Sequence, residues 1–165
     1  MYGWYGKMFI FVITLIYKYM YTTILGLHSY LAFAVLGLLL IASLNALVGL
    51  NAKRPFLNKD RQIALIALIF AHTQLLLGLI LLFTSPYMEA AKQGGMGAVM
   101  RDDTLRLYLV EHPLINIVAI ILITIGWSKH KKVDNPLAKF KRIGYMYAIA
   151  FLLLLTRIPW SAWLD

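Results

Sequence analysis

The sequence predicts an all-α integral membrane protein: an up-down four-helix bundle with a non-spanning N-terminal extension. Two observations support this prediction. First, 61% of the 165 residues are hydrophobic and the mean hydropathy is +0.74, which is more apolar surface than a soluble domain of this size can bury. Second, the apolar residues gather in four runs, each close to the about 20 residues with which a helix crosses a hydrocarbon layer of about 30 Å.

The four predicted spans are rich in Leu, Ile, Ala and Met. They cover residues 23–50, 63–83, 105–127 and 143–160, approximately. Barrel strands would show polar and apolar residues alternating over segments of about ten positions, and no such pattern recurs in this chain. Helices are therefore expected for all four spans.

The first nineteen residues fit this scheme poorly. An apolar run of about ten residues lies between Lys7 and Lys18, which is too short to cross a bilayer, and no small-x-small cleavage site follows it. Met20 reads as a natural beginning. We therefore expect residues 1–19 to be either a translation start assigned too far upstream or an extension at the membrane interface, and residues 20–165 to form the bundle.

The basic residues predict how the chain is oriented. The connections 51–62 and 128–142 contain four and six Lys or Arg residues, whereas the connection 85–104 contains two. The positive-inside rule then places 51–62 and 128–142 in the cytoplasm, and 85–104 and the C-terminus in the periplasm, of a bacterial inner membrane. Topology and contact with anionic membrane lipid account for the net charge of +9, so binding to nucleic acid is not expected.

Several kinds of site are excluded by the residues that the chain lacks. Cysteine is absent, which rules out disulfides, thiolate-ligated iron–sulfur clusters and a covalently attached c-type haem. The sequence contains no HExxH, P-loop, GxSxG or dinucleotide-binding motif. The run "QGGMG" (93–97) is interpreted as a flexible loop that is unsuited to holding phosphate.

Ionisable residues inside membrane spans are costly, so each one is a candidate functional residue. The candidates are His28, His72, Glu111, His112 and Arg157. Counted at about 1.5 Å per helical residue, His28, His112 and Arg157 share the outer half of the bundle, whereas His72 lies near the middle. His130 belongs to the basic stretch "WSKHKK" and is interpreted as a solvated loop residue.

The positions of two histidines favour a haem site. In an up-down bundle the first and third spans are diagonal, so His28 and His112 face each other at similar depth. Two opposed neutral imidazoles are the axial ligands of a b-type haem. Ala32, Asn116 and Ala119 are small enough to leave room for the macrocycle. Arg157 is placed to pair with the haem propionates.

Each candidate also has a simpler interpretation. His72 beside Thr73 and Gln74 is either a hydrogen-bonding position between helices or a residue of the redox site. In the redox site it would be an outer contact at the haem edge, an alternative haem ligand, or a proton-carrying group beside a quinone. Glu111, His112 and Pro113 also suit the start of a helix. Arg157 also suits an ion pair with Glu111 or a position at the headgroups, and His28 also suits the membrane interface.

Four segments carry a family resemblance: "LHSYLAF", "FAHTQLLLGLILLFTSP", "VEHPLINIVAIILITIGWSK" and "RIPW". From about residue 20 to 160 the chain resembles a family of small four-helix membrane proteins, typical of Bacteroidetes, that is labelled "cytochrome B". It is similar, more distantly, to the four-helix half of haem A synthase and to b561-type cytochromes. The matching positions are His28, His72, Glu111, His112 and Arg157, whereas residues 1–19 and His130 lie outside the motifs.

The residues and the resemblance together predict a b-type cytochrome of the inner membrane that binds one haem b and transfers electrons. Membrane quinol and a redox partner protein are the expected partners. An electron carrier or redox subunit is favoured over a stand-alone enzyme. Two alternatives remain open: a haem-free structural subunit or assembly factor whose buried His and Arg join the helices, and an enzyme that acts on haem.

Overall fold

The part of the chain that the structure describes consists of helices and short connections. The computed structural model describes residues 3–164, and no strand occurs among them. Its helices are α1 (Gly3–Asn51), α2 (Asn58–Thr84), α3 (Pro86–Arg101), α4 (Asp103–Arg106), α5 (His112–His130), α6 (Pro136–Thr156) and α7 (Ser161–Leu164), and a π-helical turn (Leu107–Glu111) joins α4 to α5. The prediction of an all-α protein is confirmed.

Three stretches of helix are long and apolar enough to cross a membrane. They are Trp4–Asn51, Asn58–Thr84 and Asp103–His130. The first three predicted spans lie inside these stretches. The two connections on the basic side, between α1 and α2 and between α5 and α6, are short.

The fourth predicted span, 143–160, differs from the structure at its end. Helix α6 stops at Thr156, because the proline at position 159 disfavours helical backbone in the residue before it. Basic residues occupy the first turns of α6, so its uninterrupted apolar part is 143–156. That part is roughly 21 Å long at about 1.5 Å per residue, which is shorter than the hydrocarbon layer.

The four long helices pack in a ring. Helix α1 contacts α2 and α6, and α5 contacts the same two helices, so α1 and α5 lie opposite each other. Small residues allow the backbones to approach closely. The buried alanines are Ala42, Ala46, Ala64, Ala67, Ala71, Ala119 and Ala150. Across the other diagonal, the buried Tyr147 hydroxyl of α6 donates a hydrogen bond to the Ala64 carbonyl of α2 at 3.0 Å.

Two glycines are required where helices meet most closely. A Cβ atom on Gly49 would lie 2.5 Å from the Phe140 ring. A Cβ atom on Gly126 would lie 2.8 Å from the Met146 Cβ and 3.0 Å from the Arg142 carbonyl oxygen. These contacts hold α6 against α1 and α5, which sets the spacing of the whole ring.

The connection 85–104 is mostly helical, and the interpretation of "QGGMG" as a flexible loop is wrong. The Ser85 hydroxyl caps α3 by accepting a hydrogen bond from the Met88 N–H at 3.1 Å, and a proline occupies the first turn. Both features favour helix initiation and outweigh the weak helix propensity of glycine further along. The helix is broken at Gly95, where φ is +73°, a conformation that glycine adopts readily.

The N-terminal extension is the first part of α1. The helix has 49 residues and is therefore roughly 73 Å long at about 1.5 Å per residue, more than twice the thickness of the hydrocarbon layer. Residues 4–20 are exposed. The Tyr17 hydroxyl donates a hydrogen bond to the Thr84 carbonyl at the end of α2, and this bond links the extension to the rest of the chain.

We expect a version of the chain that starts at Met20 to fold and to reach the membrane at a normal level. Residues 4–16 bury little surface, so the truncation removes chiefly the Tyr17 hydrogen bond, which is worth about 0.5–1.5 kcal/mol. Tyr17→Phe removes the same bond and is the matched control. Membrane level and thermal unfolding in detergent are the measurements. A truncated chain that disappears from the membrane while Tyr17→Phe stays normal would contradict this expectation.

Candidate functional site

A cavity of about 340 Å³ lies where α1, α2, α3, α5 and the segment after α6 come together. Most of its wall is aliphatic, and the leucines involved are Leu25, Leu36, Leu75, Leu79, Leu81, Leu82 and Leu154. A few polar side chains converge on it: His28, Gln74, His112 and Asn116. Apolar pockets of about 300–1,000 Å³ with a few convergent polar groups are typical ligand sites.

His28 and His112 face each other across this cavity. Their ring centres are 6.4 Å apart and their planes are inclined at 73°. A metal bound to both imidazoles at about 2 Å from each nitrogen requires ring centres roughly 6 Å apart. The observed separation fits that requirement, and the ring planes of two axial ligands are free to differ in orientation about the metal–nitrogen axis.

The π-helical turn sets the position of His112. A proline in a helix lacks the N–H and its ring clashes with the carbonyl four residues earlier, here that of Leu109. The wider turn before Pro113 accommodates this, and the His112 N–H donates instead to the Leu107 carbonyl, five residues back. Such turns are frequent at functional sites because they redirect the side chain that follows.

His112 is oriented by a backbone carbonyl. Its Nδ1 lies 2.7 Å from the carbonyl oxygen of Arg157, and since a carbonyl only accepts, Nδ1 carries the proton. The neutral ring then presents the lone pair of Nε2. Histidines that bind metals usually donate their other N–H in this way. The carbonyl is available because the backbone leaves the helix at Arg157, where φ is −131° and ψ is 22°.

His28 has a different environment. Gly78 lies against it, since a Cβ atom at position 78 would be 3.1 Å from the His28 Cε1. The Gln74 side chain donates a hydrogen bond to the His28 carbonyl at 2.9 Å. His28 Nδ1 and Gln74 Oε1 are buried without a hydrogen-bond partner among the residues that the structure describes. Each such atom costs about 1–3 kcal/mol, so this wall of the cavity suits a ligand with polar groups.

The structure pairs the Arg157 guanidinium with Glu111. Arg157 Nε lies 3.3 Å from Glu111 Oε2, and Arg106 Nε lies 3.1 Å from Glu111 Oε1. Neither Arg157 nor Glu111 lines the cavity. The Arg157 carbonyl acts on the site only through its hydrogen bond with His112. The Arg157 guanidinium belongs to the ion-pair group around Glu111, as the simpler interpretation of Arg157 expects.

His72 lies outside the cavity lining. Its Nδ1 is 2.8 Å from the Leu68 carbonyl oxygen, and its Nε2 is 3.3 Å from the Thr124 hydroxyl oxygen on α5. The side chain therefore bonds its own helix and reaches the neighbouring one. Of the three small residues predicted to surround the haem, Ala32 and Asn116 line the cavity. Ala119 does not, because it is buried in the hydrophobic core.

The interpretation of His130 as a solvated residue is wrong. Its exposed fraction is 2%, and its ring lies 4.6 Å from that of Trp127 and 5.8 Å from that of Phe56. The reason is that α5 continues through His130 and the connection after α1 folds Phe56 over it. This position is at the opposite end of the bundle from the cavity.

Several aromatic cavity residues were not candidates in the sequence because they lie near the ends of the predicted spans and are not ionised at neutral pH. They are Tyr21, Tyr87, Tyr108 and Trp163. The rings of Tyr87 and Tyr108 stack at 4.5 Å, and Trp163 stacks on Phe33 at 4.2 Å. Aromatic residues near the ends of apolar runs are the signal that points to them, since such residues prefer membrane interfaces.

By its fold, the chain belongs to the class of all-helical proteins, and three of its helices are long and apolar enough to cross a membrane. Among the described residues, no group of three or more His, Asp or Glu side chains is arranged to hold a metal ion. A metal at the His28–His112 pair would thus need further ligands from a cofactor. Comparison with known protein families, curated proteins and solved structures finds no match.

Proposed function

We propose that the chain is a four-helix protein of the bacterial inner membrane that binds one b-type haem between His28 and His112 and transfers electrons. The observation that carries this proposal is the 6.4 Å separation of the two rings. A porphyrin supplies four equatorial nitrogens, so two protein imidazoles are sufficient to complete the iron coordination.

The side chains around the pair suit this cofactor. The Arg157 carbonyl holds the His112 ring in the tautomer that ligation requires. The leucines of the cavity wall would keep water from a bound haem iron, which would raise its reduction potential. When bound, the haem supplies a one-electron iron couple. The cavity of about 340 Å³ lies at the lower end of the usual range for ligand pockets.

In this proposal α6 is the fourth span. Its buried residues Phe140, Ile143, Tyr147 and Ala150 are at most 1% exposed, so it packs along the ring as fully as the other helices do. The basic side chains in its first turns extend the reach of the helix by snorkelling to the headgroups. The remaining mismatch is accommodated by local thinning of the bilayer. Membrane quinol or a partner protein at the membrane would exchange electrons with the haem.

The proposed topology places 51–62 and 128–142 in the cytoplasm. Ten basic residues lie in these two connections, against two in 85–104, and this bias sets orientation. Reporter fusions at Gly95 and Asn135 should therefore give opposite signals, with alkaline phosphatase active only at Gly95. Phosphatase activity from the Asn135 fusion would reverse the topology.

A haem-free structural role is the second candidate. Two hydrogen bonds between different segments favour it. The Gln74 side chain donates to the His28 carbonyl, and the His112 ring donates to the Arg157 carbonyl. A visible absorption spectrum of the purified protein separates the two functions. Low-spin haem bands support the cytochrome, and their absence even after reconstitution with haem supports the structural role.

A further inference from the structure

The basic end of the bundle carries two cations on one aromatic ring. The Arg61 guanidinium carbon lies 5.9 Å from the centre of the Trp127 ring, and the Lys131 Nζ lies 5.4 Å from it. Arg61 belongs to the first turns of α2, whereas Lys131 follows the end of α5. The pair therefore straddles the groove between two neighbouring helices. Both cations are exposed and Trp127 is half-buried.

A third cation, Lys139, extends this surface along a row of aromatic rings. Trp127, His130 and Phe56 follow one another with ring centres 4.6 Å and 5.8 Å apart. Lys139 Nζ lies 5.8 Å from the centre of the Phe56 ring. Cations within about 6 Å of an aromatic ring centre are attracted to the face of the ring, so three positive charges lie along this row of rings.

These charges are not balanced by carboxylates. The connections 51–62 and 128–142 contain ten Lys and Arg against Asp60 and Asp134. Asp60 is bonded to Arg54 at 2.8 Å and is 2% exposed. Within residues 3–164, no ion pair of Arg61, Lys131 or Lys139 occurs. The surface is therefore able to hold an anion.

We propose that Arg61, Trp127, Lys131 and Lys139 form a binding site for the headgroup of an anionic phospholipid, whose acyl chains follow the exposed faces of α2 and α5. Tryptophan prefers the membrane interface, and anionic headgroups attract basic residues there. Below the cations, apolar residues such as Ile66 and Ile121 are 45% and 51% exposed. A free phosphate would use the charges and leave this apolar surface unused. The proposal rests on placement in a membrane and is independent of haem.

The test is native mass spectrometry of the detergent-purified full chain with added phosphatidylglycerol or phosphatidylcholine. Arg61→Gln/Lys131→Gln is the test variant. Lys59→Gln/Lys132→Gln is the matched control, because it removes the same charge from the same two regions at exposed positions. We expect the test variant to weaken phosphatidylglycerol binding about tenfold or more, since each basic residue near an anionic surface contributes substantially, and the control to change it less than threefold.

Two further measurements identify the ligand. Trp127→Leu keeps every charge, and it should weaken phosphatidylglycerol binding several-fold if the ring helps to place the cations. Inorganic phosphate at millimolar concentration should not displace the lipid. Equal losses in the test and control variants, equal binding of phosphatidylcholine, or displacement by inorganic phosphate would each overturn the proposal. Haem absorption is recorded on the same samples, so failure of the haem proposal is seen separately.

Discussion

Replacing His112 by alanine is expected to abolish the low-spin absorption of a bis-histidine haem, and replacing His28 is expected to do the same. The two rings are 6.4 Å apart with the cavity between them. If both ligate one iron, removal of either leaves an open axial position, which changes the spin state and the spectrum. The measurement is reduced-minus-oxidised absorption of the purified variants, with haem content determined on the same samples.

His72→Ala is the matched control, because it removes a histidine from the same bundle but from outside the cavity lining. It loses hydrogen bonds to the Leu68 carbonyl and the Thr124 hydroxyl. We expect it to retain bound haem and to shift at most the potential or the rate of electron exchange, as groups near a metal site do when they do not bind the metal. Loss of haem only in His72→Ala would show that the pairing of His28 with His112 is wrong.

The sequence predicts the helices well, because apolar runs of this length are typical of membrane-spanning helices and of buried core helices. It also places His28 and His112 at one level, since a regular rise per residue converts sequence position to depth. The diagonal arrangement of their helices follows from short connections in an up-down chain. These are properties of regular helices, and they need no knowledge of side-chain contacts.

The features that the sequence did not predict depend on contacts between distant residues. The π-helical turn results from Pro113 in a continuous helix, and the helix α3 from its Ser85 cap despite the glycines that follow. His130 is buried because Phe56, far away in sequence, folds over it. The sequence position of Arg157 predicts a cation in the outer half of the bundle. Whether this cation pairs with Glu111 or with a ligand depends on three-dimensional packing, which the sequence does not show.

The connection between α1 and α2 is organised around a buried carboxylate. The Asp60 side chain is 1% exposed and accepts hydrogen bonds from both terminal nitrogens of Arg54 at 2.8 Å. It also accepts from the Asn45 amide at 2.9 Å and from the Leu57 N–H at 2.8 Å. The hydrogen bond from Arg54 to Asp60 raises the pKa of the guanidinium, so the arginine stays charged. Arg54 also lies 4.7 Å from the centre of the Phe140 ring, which ties the connection to α6.

Asp60→Ala is expected to lower the free energy of unfolding by about 3 kcal/mol. Removal of one partner from a buried ion pair costs about 3–5 kcal/mol. The lower end applies here because the Arg54 side chain is 28% exposed and is partly solvated once its partner is gone. For a chain of this size the loss corresponds to a fall of roughly 6–12 °C in the melting temperature. Thermal unfolding in detergent, followed by circular dichroism, measures it.

Asp134→Ala is the control for this prediction, because it removes the same charge from the other basic connection at an exposed position. Exposed substitutions of this kind change stability by about 0.5 kcal/mol or less. Asp60→Asn keeps the shape and the hydrogen bond from Leu57, so it should be destabilised less than Asp60→Ala. Equal melting temperatures for the Asp60→Ala and Asp134→Ala variants would contradict the stabilising role of this carboxylate. Since Asp60 and the cavity lie at opposite ends of the bundle, the haem content of the folded Asp60→Ala protein should equal that of the unmodified chain.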